Sequence, residues 1–269
     1  MSVTGTCKLC LKTKALQKSH LIPAAVSQAL RGPNGLSHGP VAMTRNVVIA
    51  GVRDIKAPLL CRDCEQRFNR NGENWVLKKM CKGEYFPLLE RLKLAVPIQQ
   101  QEDRLAFSGP AVGVPTDKLA YFAISMLWRS VAYPWKAHDG TQKTTDIGPL
   151  QEECRKYLMG QIKFPGDLYV LAVICSDPLS QHSAHELAEM EAPFTVYSFL
   201  MCGLFFALLI GKDVPQEERD RCCFTSALQP IFIENRIGQN MNAFKVIYKT
   251  ARLTKNIRDD FVRYGSGSN

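Results

Sequence analysis

Leu59-Leu60-Cys61-Arg62-Asp63-Cys64-Glu65 joins a short apolar run to a C-x2-C pair, and a second such pair stands upstream as Cys7-Lys8-Leu9-Cys10. Each C-x2-C knuckle can set two thiolates on one edge of a metal ion, and two knuckles complete the tetrahedral four-sulfur shell that Zn²⁺ prefers. The pattern predicts a structural zinc on Cys7, Cys10, Cys61 and Cys64. Fifty residues separate the knuckles, more than a simple ribbon needs, so an insertion lies between them. From Cys7 to about Trp75 the chain is expected to be loop-rich, with Gly32-Pro33-Asn34-Gly35 and His38-Gly39-Pro40 as breakers. It is poor in core-forming residues, so metal binding is expected to supply much of its folding free energy.

The whole chain, 269 residues with 46% hydrophobic and 22% charged residues, has the balance of a globular protein and excludes a disordered or fibrous one. Its net charge of +9 is unevenly placed: residues 1–84 hold 14 Lys and Arg against 5 Asp and Glu, whereas residues 85–269 hold 20 of each. A basic N-terminal module is thus joined to a neutral body. One-sided positive charge is the electrostatic footprint expected for a phosphate polymer, with ordinary solvated surface as the alternative. The opening Met-Ser-Val-Thr-Gly-Thr-Cys lacks the charged start and apolar core of a secretory signal. A reducing cytoplasm is therefore expected, where paired cysteines more often bind metal than each other.

Downstream, Thr116 to Tyr133 has apolar positions near helical spacing and reads as an amphipathic helix stopped by Pro134. A second helix is expected over residues 148–159. Leu168–Cys175 reads as a buried strand, and Phe194–Met201 with Leu204–Ile210 as a hairpin around Cys202-Gly203. The run Phe194 to Ile210 is short for a membrane span, which needs about 20 apolar residues. Phe244–Tyr248 reads as a strand or the start of a terminal helix, and the last five residues as a frayed tail. The expected fold class is α+β: an N-terminal zinc-stapled module over residues 1–84, a connecting segment over 85–115, and a mixed α+β domain over 116–269. Dimerisation, sensing and substrate positioning are all open as roles for that last part, and its apolar hairpin makes a homodimer a natural form. His182-x-x-His185-Glu186 reads as an exposed helix start rather than a metal site, and Cys222-Cys223, Trp128, Trp135 and Tyr121 as core. Neither a glycine-rich phosphate loop nor a G-x-S-x-G elbow occurs, which sets aside nucleotide hydrolysis and serine-esterase chemistry.

The insertion contains Lys18-Ser19-His20-Leu21-Ile22-Pro23, and the second knuckle runs into Glu65-Gln-Arg-Phe-Asn69-Arg-Asn-Gly-Glu73-Asn-Trp75, which has no proline and is expected to continue as a helix. Taken with the knuckles, these pieces resemble the HNH family of nucleases, whose ββα-metal core is often stapled by two zinc knuckles. The resemblance covers about 70 residues. It implies an endonuclease that hydrolyses phosphodiester bonds, with double-stranded DNA the expected partner, in a bacterial or phage-related restriction or defence setting. His20, at the end of the first hairpin strand, would be the general base, since imidazole titrates near neutral pH. Glu65 stands where many family members carry a histidine or asparagine ligand. Asn69 and Glu73 follow at i+4 and i+8, so all three can share a helix face and hold a catalytic Mg²⁺ or Mn²⁺ distinct from the zinc. Lys18, Arg62, Arg67 and Arg70 flank these motifs as candidate nucleic-acid contacts.

Two positions depart from the family's pattern. Lys56 stands where the middle asparagine usually lies, with Asn46 as a substitute for its orienting role, and Ser19 stands where an acid or histidine often precedes the base. Plainer readings of the same residues are a histidine that caps a helix or sits near the zinc, and a Glu65 that merely complements a helix dipole. The corresponding functional alternatives are a zinc-stabilised nucleic-acid-binding protein without catalytic activity and a zinc-stapled protein-interaction module.

Overall fold

The computed structural model describes residues 3–31, 42–43, 47–49, 54–136, 140, 142, 146–191, 193–236 and 252–253. Asn46, the Phe244–Tyr248 segment and the C-terminal tail lie outside them.

The chain opens with β1 (Val3–Thr6) and β2 (Thr13–His20), joined by the first cysteine knuckle, and continues into α1 (Ala24–Arg31). Two short strands, β3 (Ala42–Met43) and β4 (Val47–Ile49), pair within the insertion, and β13 (Arg252–Leu253) adds to β4 in parallel. β5 (Lys56–Cys61) then returns antiparallel to β2, giving a three-stranded sheet in the order β1-β2-β5. Pro58 is tolerated because β5 is an edge strand, where a missing N–H costs no ladder bond. The β2–β5 register shifts between Leu16 and Lys18. This breaks the simple alternation of faces, so that Leu16 and Ser19, three apart, are both buried.

α2 (Arg62–Phe68) starts immediately after β5, with Asp63 and Glu65 in its first turn where acidic groups complement the helix dipole. It passes without a break into a π-helical turn, Asn69–Glu73, and a last turn, α3 (Asn74–Val76). In a regular helix, residues four apart drift by about 40° around the axis. The wider i→i+5 turn offsets that drift, keeping Glu73 in line with Glu65 and Asn69.

Residues 85–115 do more than connect. They form α4 (Pro87–Lys93), β6 (Gln99–Gln100) and β7 (Arg104–Ser108), and β7 pairs with a strand from near the end of the described chain. The body consists of α5 (Thr116–Val131), α6 (Leu150–Leu158), β8 (Leu168–Cys175), α7 (Pro178–Gln181), β9 (Ala184–Glu191), β10 (Phe194–Met201), β11 (Leu204–Ile210), α8 (Gln216–Asp220) and β12 (Pro230–Glu234). Its seven-stranded sheet has the order β6-β7-β12-β8-β11-β10-β9, antiparallel except for β12 with β8. The expected hairpin is β10–β11, with Met201 opposite Leu204. Its two-residue loop, Cys202-Gly203, has φ of +46° and +84°, the left-handed pair that matches strand twist. A Cβ at Gly203 would run into the Phe86 ring. His182 ends α7, while His185 and Glu186 fall in β9, so this stretch is not the exposed helix start its polarity indicated.

α5 is more buried than its pattern indicated. An amphipathic helix would show one wet face, yet every residue from Leu119 to Ser130 is buried. The reason is that α5 is covered on several sides: the π turn and α3 lie against one, α6 against another, and the sheet strands β8 and β11 against a third. Phe68 of α2 meets Tyr121 and Trp128 edge-on, with centroids 6.2 and 6.0 Å apart, while Phe122 packs on Phe199 and Phe206 of the hairpin. One hydrophobic core therefore runs from Cys7 and Leu9 through α5 to Ile233. The N-terminal region, too poor in apolar residues to make a core alone, shares that of the body. Two polar ties reinforce the junction: the Arg155 guanidinium donates to the Leu9 carbonyl at 2.8 Å, and that of Arg67 to the Met159 carbonyl at 3.3 Å.

Candidate metal centre and active-site cavity

The β1–β2 connection and the β5–α2 junction bring Cys7, Cys10, Cys61 and Cys64 together, with all four sulfur atoms within 4.8 Å of one another. The group could hold a metal ion such as zinc. A tetrahedron with Zn–S bonds of about 2.3 Å has edges of about 3.8 Å, and Cys10 and Cys61 Sγ are 3.9 Å apart. Backbone bonds shape the knuckle: Cys7 N–H donates to the Lys12 carbonyl, Leu11 N–H to the Cys7 carbonyl, and Lys8 N–H to the Leu59 carbonyl. Leu11 adopts φ +60°, which lets the chain double back into β2. The Cys61 N–H donates to Cys7 Sγ at 3.3 Å. The hydrogen bond from Cys64 and nearby backbone N–H groups pull the Cys7 thiol down to about 4, whereas that same bond and burial push Cys64 up. Four thiols this close cannot all ionise unaided, and a bound cation would remove that constraint. Among the described residues this is the only cluster of three or more His, Cys, Asp or Glu with converging ligand atoms.

Behind the knuckles lies a cavity of about 250 Å³ lined by His20, Pro23, Ala24, Ala25, Glu65, Asn69, Glu73, Leu77 and Arg129. His20 reaches it from the end of β2, and Glu65, Asn69 and Glu73 reach it from one face of the α2–π–α3 helix. All four candidate residues for base and catalytic ion thus meet in one place. The Ser19 hydroxyl, buried beside the small sheet, accepts from Leu60 N–H at 3.2 Å and donates to Glu65 Oε1. Burial pushes the Glu65 carboxyl up, opposed by Arg129 and by the Ser19 hydroxyl.

Two residues that sequence reasoning missed complete the surroundings. Asp54 Oδ2 lies 3.4 Å from His20 Nε2 and 3.5 Å from Lys56 Nζ. Lys56, standing at the departed asparagine position, is directly opposite His20 in the β2–β5 register. Burial, then the Lys56 charge, lowers the His20 pKa below the ordinary histidine value against the pull of Asp54. Asp54 is itself lowered: burial opposes this, but the Ser27 hydroxyl, His20 and Lys56 prevail. Arg129 enters from α5 and pairs with Glu73 Oε1 at 2.6 Å, the two side chains 3% and 9% exposed. A single arginine in so apolar a helix was the available signal, since a buried cation needs an acid.

Of the candidate nucleic-acid contacts, Lys18, Arg62 and Arg70 are exposed and Arg67 is half-buried in its tie to Met159. Among the described residues, no helix is long and apolar enough to cross a membrane. Comparisons with protein-family models, with curated proteins and with solved structures find no match.

Proposed function

We propose that this protein is an HNH-like, metal-dependent endonuclease that hydrolyses phosphodiester bonds in nucleic acid, with double-stranded DNA the favoured substrate. The observation that carries the reading is the meeting of His20, Glu65 and Asn69 in one cavity, behind a strand–strand–helix unit pinned by four cysteines. His20 stands 45 positions before Glu65 and 49 before Asn69, on a strand end rather than on their helix, and had no reason to meet them if each served only its local fold. The cavity is smaller than the roughly 300–1,000 Å³ of a typical small-molecule pocket, which suits a phosphodiester reached from outside better than a whole nucleotide.

With Nε2 turned toward Asp54, His20 is left with Nδ1 to take a proton from water. Its lowered pKa keeps it neutral, and so able to accept that proton, at physiological pH. The carboxylate of Asp54 fixes the ring's orientation and steadies the imidazolium that follows. Ser19 holds Glu65 facing the cavity. Glu65 and Asn69, beside Glu73, would hold Mg²⁺ or Mn²⁺, which when bound supplies Lewis-acid charge at the scissile phosphate and the departing 3′ oxygen. Such an ion keeps several waters and uses one or two carboxylates, so two or three protein ligands suffice. Zn²⁺ on the four cysteines would have a purely structural part, locking β5 and α2 to the β1–β2 turn. The excess of positive charge in residues 1–84 serves to gather a polyanion. A restriction or defence role in a bacterial or phage-related setting, and a cytoplasmic location, accompany this reading.

A second reading is favoured by a specific observation: the carboxylates of Glu65 and Glu73 are already engaged by Ser19 and Arg129. A zinc-stabilised nucleic-acid-binding protein without catalytic activity would keep them so. Nicking of supercoiled plasmid with Mg²⁺ or Mn²⁺, run beside a His20→Ala variant of equal zinc content, separates the two. Nicking by the wild type that vanishes in the variant supports the nuclease. Equal binding with no nicking by either protein rejects it in favour of the binder.

A further inference from the structure

Arg129 is the one cavity-lining residue that comes from the body of the protein, and its surroundings are unusual for a structural ion pair. Its Nη2 donates to Glu73 Oε1 at 2.6 Å, and among the described residues Nη1 has only the Met126 sulfur at 3.9 Å. Among the described residues the buried Nε–H has no hydrogen-bond partner. The guanidinium lies over the Phe68 ring at 5.2 Å, and Trp135 Nε1 donates to the Arg129 carbonyl at 2.7 Å, so both ends of the residue are held. A buried arginine that served only to neutralise Glu73 would be expected to use its five donors on protein acceptors, because each unmade bond is costly in a dry site. Here donors remain over, on a cation at the wall of a cavity of about 250 Å³ that the candidate base also lines.

We propose that Arg129 binds the phosphate group acted on in this cavity, with Glu73 as the residue that positions it. A guanidinium fork matches two phosphate oxygens in a way that an ammonium does not, and a fixed cation in a low-dielectric site stabilises the charge that builds on a phosphate under attack. The body is then part of the active centre: α5 supplies a catalytic group, and the N-terminal strand–strand–helix unit is incomplete without it. Glu73 consequently acts through Arg129 rather than as a principal metal ligand. The cleavage outcome of this inference rests on the nuclease reading, whereas its binding outcome does not.

The test replaces both partners together, as Glu73→Gln/Arg129→Gln and as Glu73→Met/Arg129→Met, because removing Arg129 alone would strand a buried carboxylate and endanger folding. Either neutral pair, if folded and zinc-loaded like the wild type, carries the comparison. Affinity for a short DNA duplex, without added divalent ion, is measured between about 50 and 200 mM salt. Loss of one phosphate contact lowers the slope of log affinity against log salt by about 0.9; a merely structural arginine leaves the slope alone. Plasmid cleavage is read alongside, with a fall of about 100-fold or more expected. A reduced slope with reduced cleavage supports the proposal. A reduced slope when not even the wild type cleaves supports the phosphate contact and sinks the nuclease reading. An unchanged slope with cleavage near the wild-type rate overturns the proposal and leaves the nuclease standing. A wild type that binds no nucleic acid overturns both.

Discussion

The Ser19 hydroxyl donates to the Glu65 carboxylate, linking the residue before the candidate base on β2 to the first turn of α2. The same oxygen accepts from the Leu60 N–H of β5, so one buried serine joins all three parts of the strand–strand–helix unit. Ser19→Ala should leave a largely buried carboxylate and a backbone N–H short of partners, at about 1–3 kcal/mol. A urea titration should show a lower midpoint with an unchanged slope; a midpoint equal to that of the wild type would mean that water replaces the hydroxyl without loss.

Gly72 sits where the π turn crosses α5. A Cβ there would lie 3.0 Å from Phe122 N and 3.2 Å from the Lys118 carbonyl, both backbone atoms that cannot swing aside. Gly72→Ala should therefore force the two helices apart and cost about 1–3 kcal/mol. Because Glu73 and Arg129 bridge the same crossing, the loss should extend to any activity of the cavity. Thermal unfolding followed by circular dichroism checks the first effect.

Zinc bound by Cys7, Cys10, Cys61 and Cys64 should appear as one metal equivalent in elemental analysis, falling well below that in Cys64→Ser. Removal by a chelator should unfold the β1–β2–β5 sheet first, since metal binding to such a site couples to folding by several kcal/mol, up to roughly 10–16 in isolated zinc modules. The shared core should let the seven-stranded sheet persist. Loss of protected amides confined to residues 3–20 and 54–76 in hydrogen exchange would show this, and unchanged protection there would count against a structural metal.

On the proposed nuclease reading, the pH dependence of cleavage should carry the mark of His20. Its pKa lies below the usual histidine value because of burial and Lys56, so the neutral base persists to a lower pH than a free histidine would allow. The rate should hold as pH falls through about 6.5 and drop only below it. A depressed folded-state pKa also means that the unfolded chain binds the proton first, so stability from this group is present above the unfolded value and lost as pH falls through the folded one. Lys56→Ala removes a cation facing His20 and should move the acid limb to higher pH. An unmoved limb would show that another group controls it.

Several features were legible in the residues alone because they depend on local chemistry. C-x2-C pairs announce a four-sulfur site whatever surrounds them. Strands β8, β10 and β11 fall on the runs expected for them, since a continuous β-branched and aromatic stretch between turn residues has few other solutions. Glu65, Asn69 and Glu73, spaced i, i+4, i+8, line one cavity because the helix continues through them, although the π turn that offsets the drift of Glu73 was not legible in the spacing. By contrast, the segment 85–115 looked like a connection because β6 is two glutamines and β7 is a short run between the polar Gln99–Asp103 and the turn residues Ser108-Gly109-Pro110; the pairing that makes β7 a strand comes from β12, over 120 positions later. The His182–Glu186 stretch looked helical by polarity, yet β10 draws its second half into an edge strand.

What the sequence by itself determined is the set of residue types able to do chemistry and the local elements that carry them: four thiols in two knuckles, a histidine at a strand end, and acids along one helix. Those follow from spacing and backbone periodicity, which act over a few residues. Only the tertiary structure decided that Asp54 and Lys56 flank His20, that Ser19 holds Glu65, and that Arg129 of α5 reaches Glu73 across 56 positions of chain. The physical reason is the shared core. An N-terminal region with too little apolar surface to fold alone must dock on α5, and docking buries Glu73 where only a cation from the other side can balance it. That requirement is a property of the packed interface, and no periodicity in either segment encodes it.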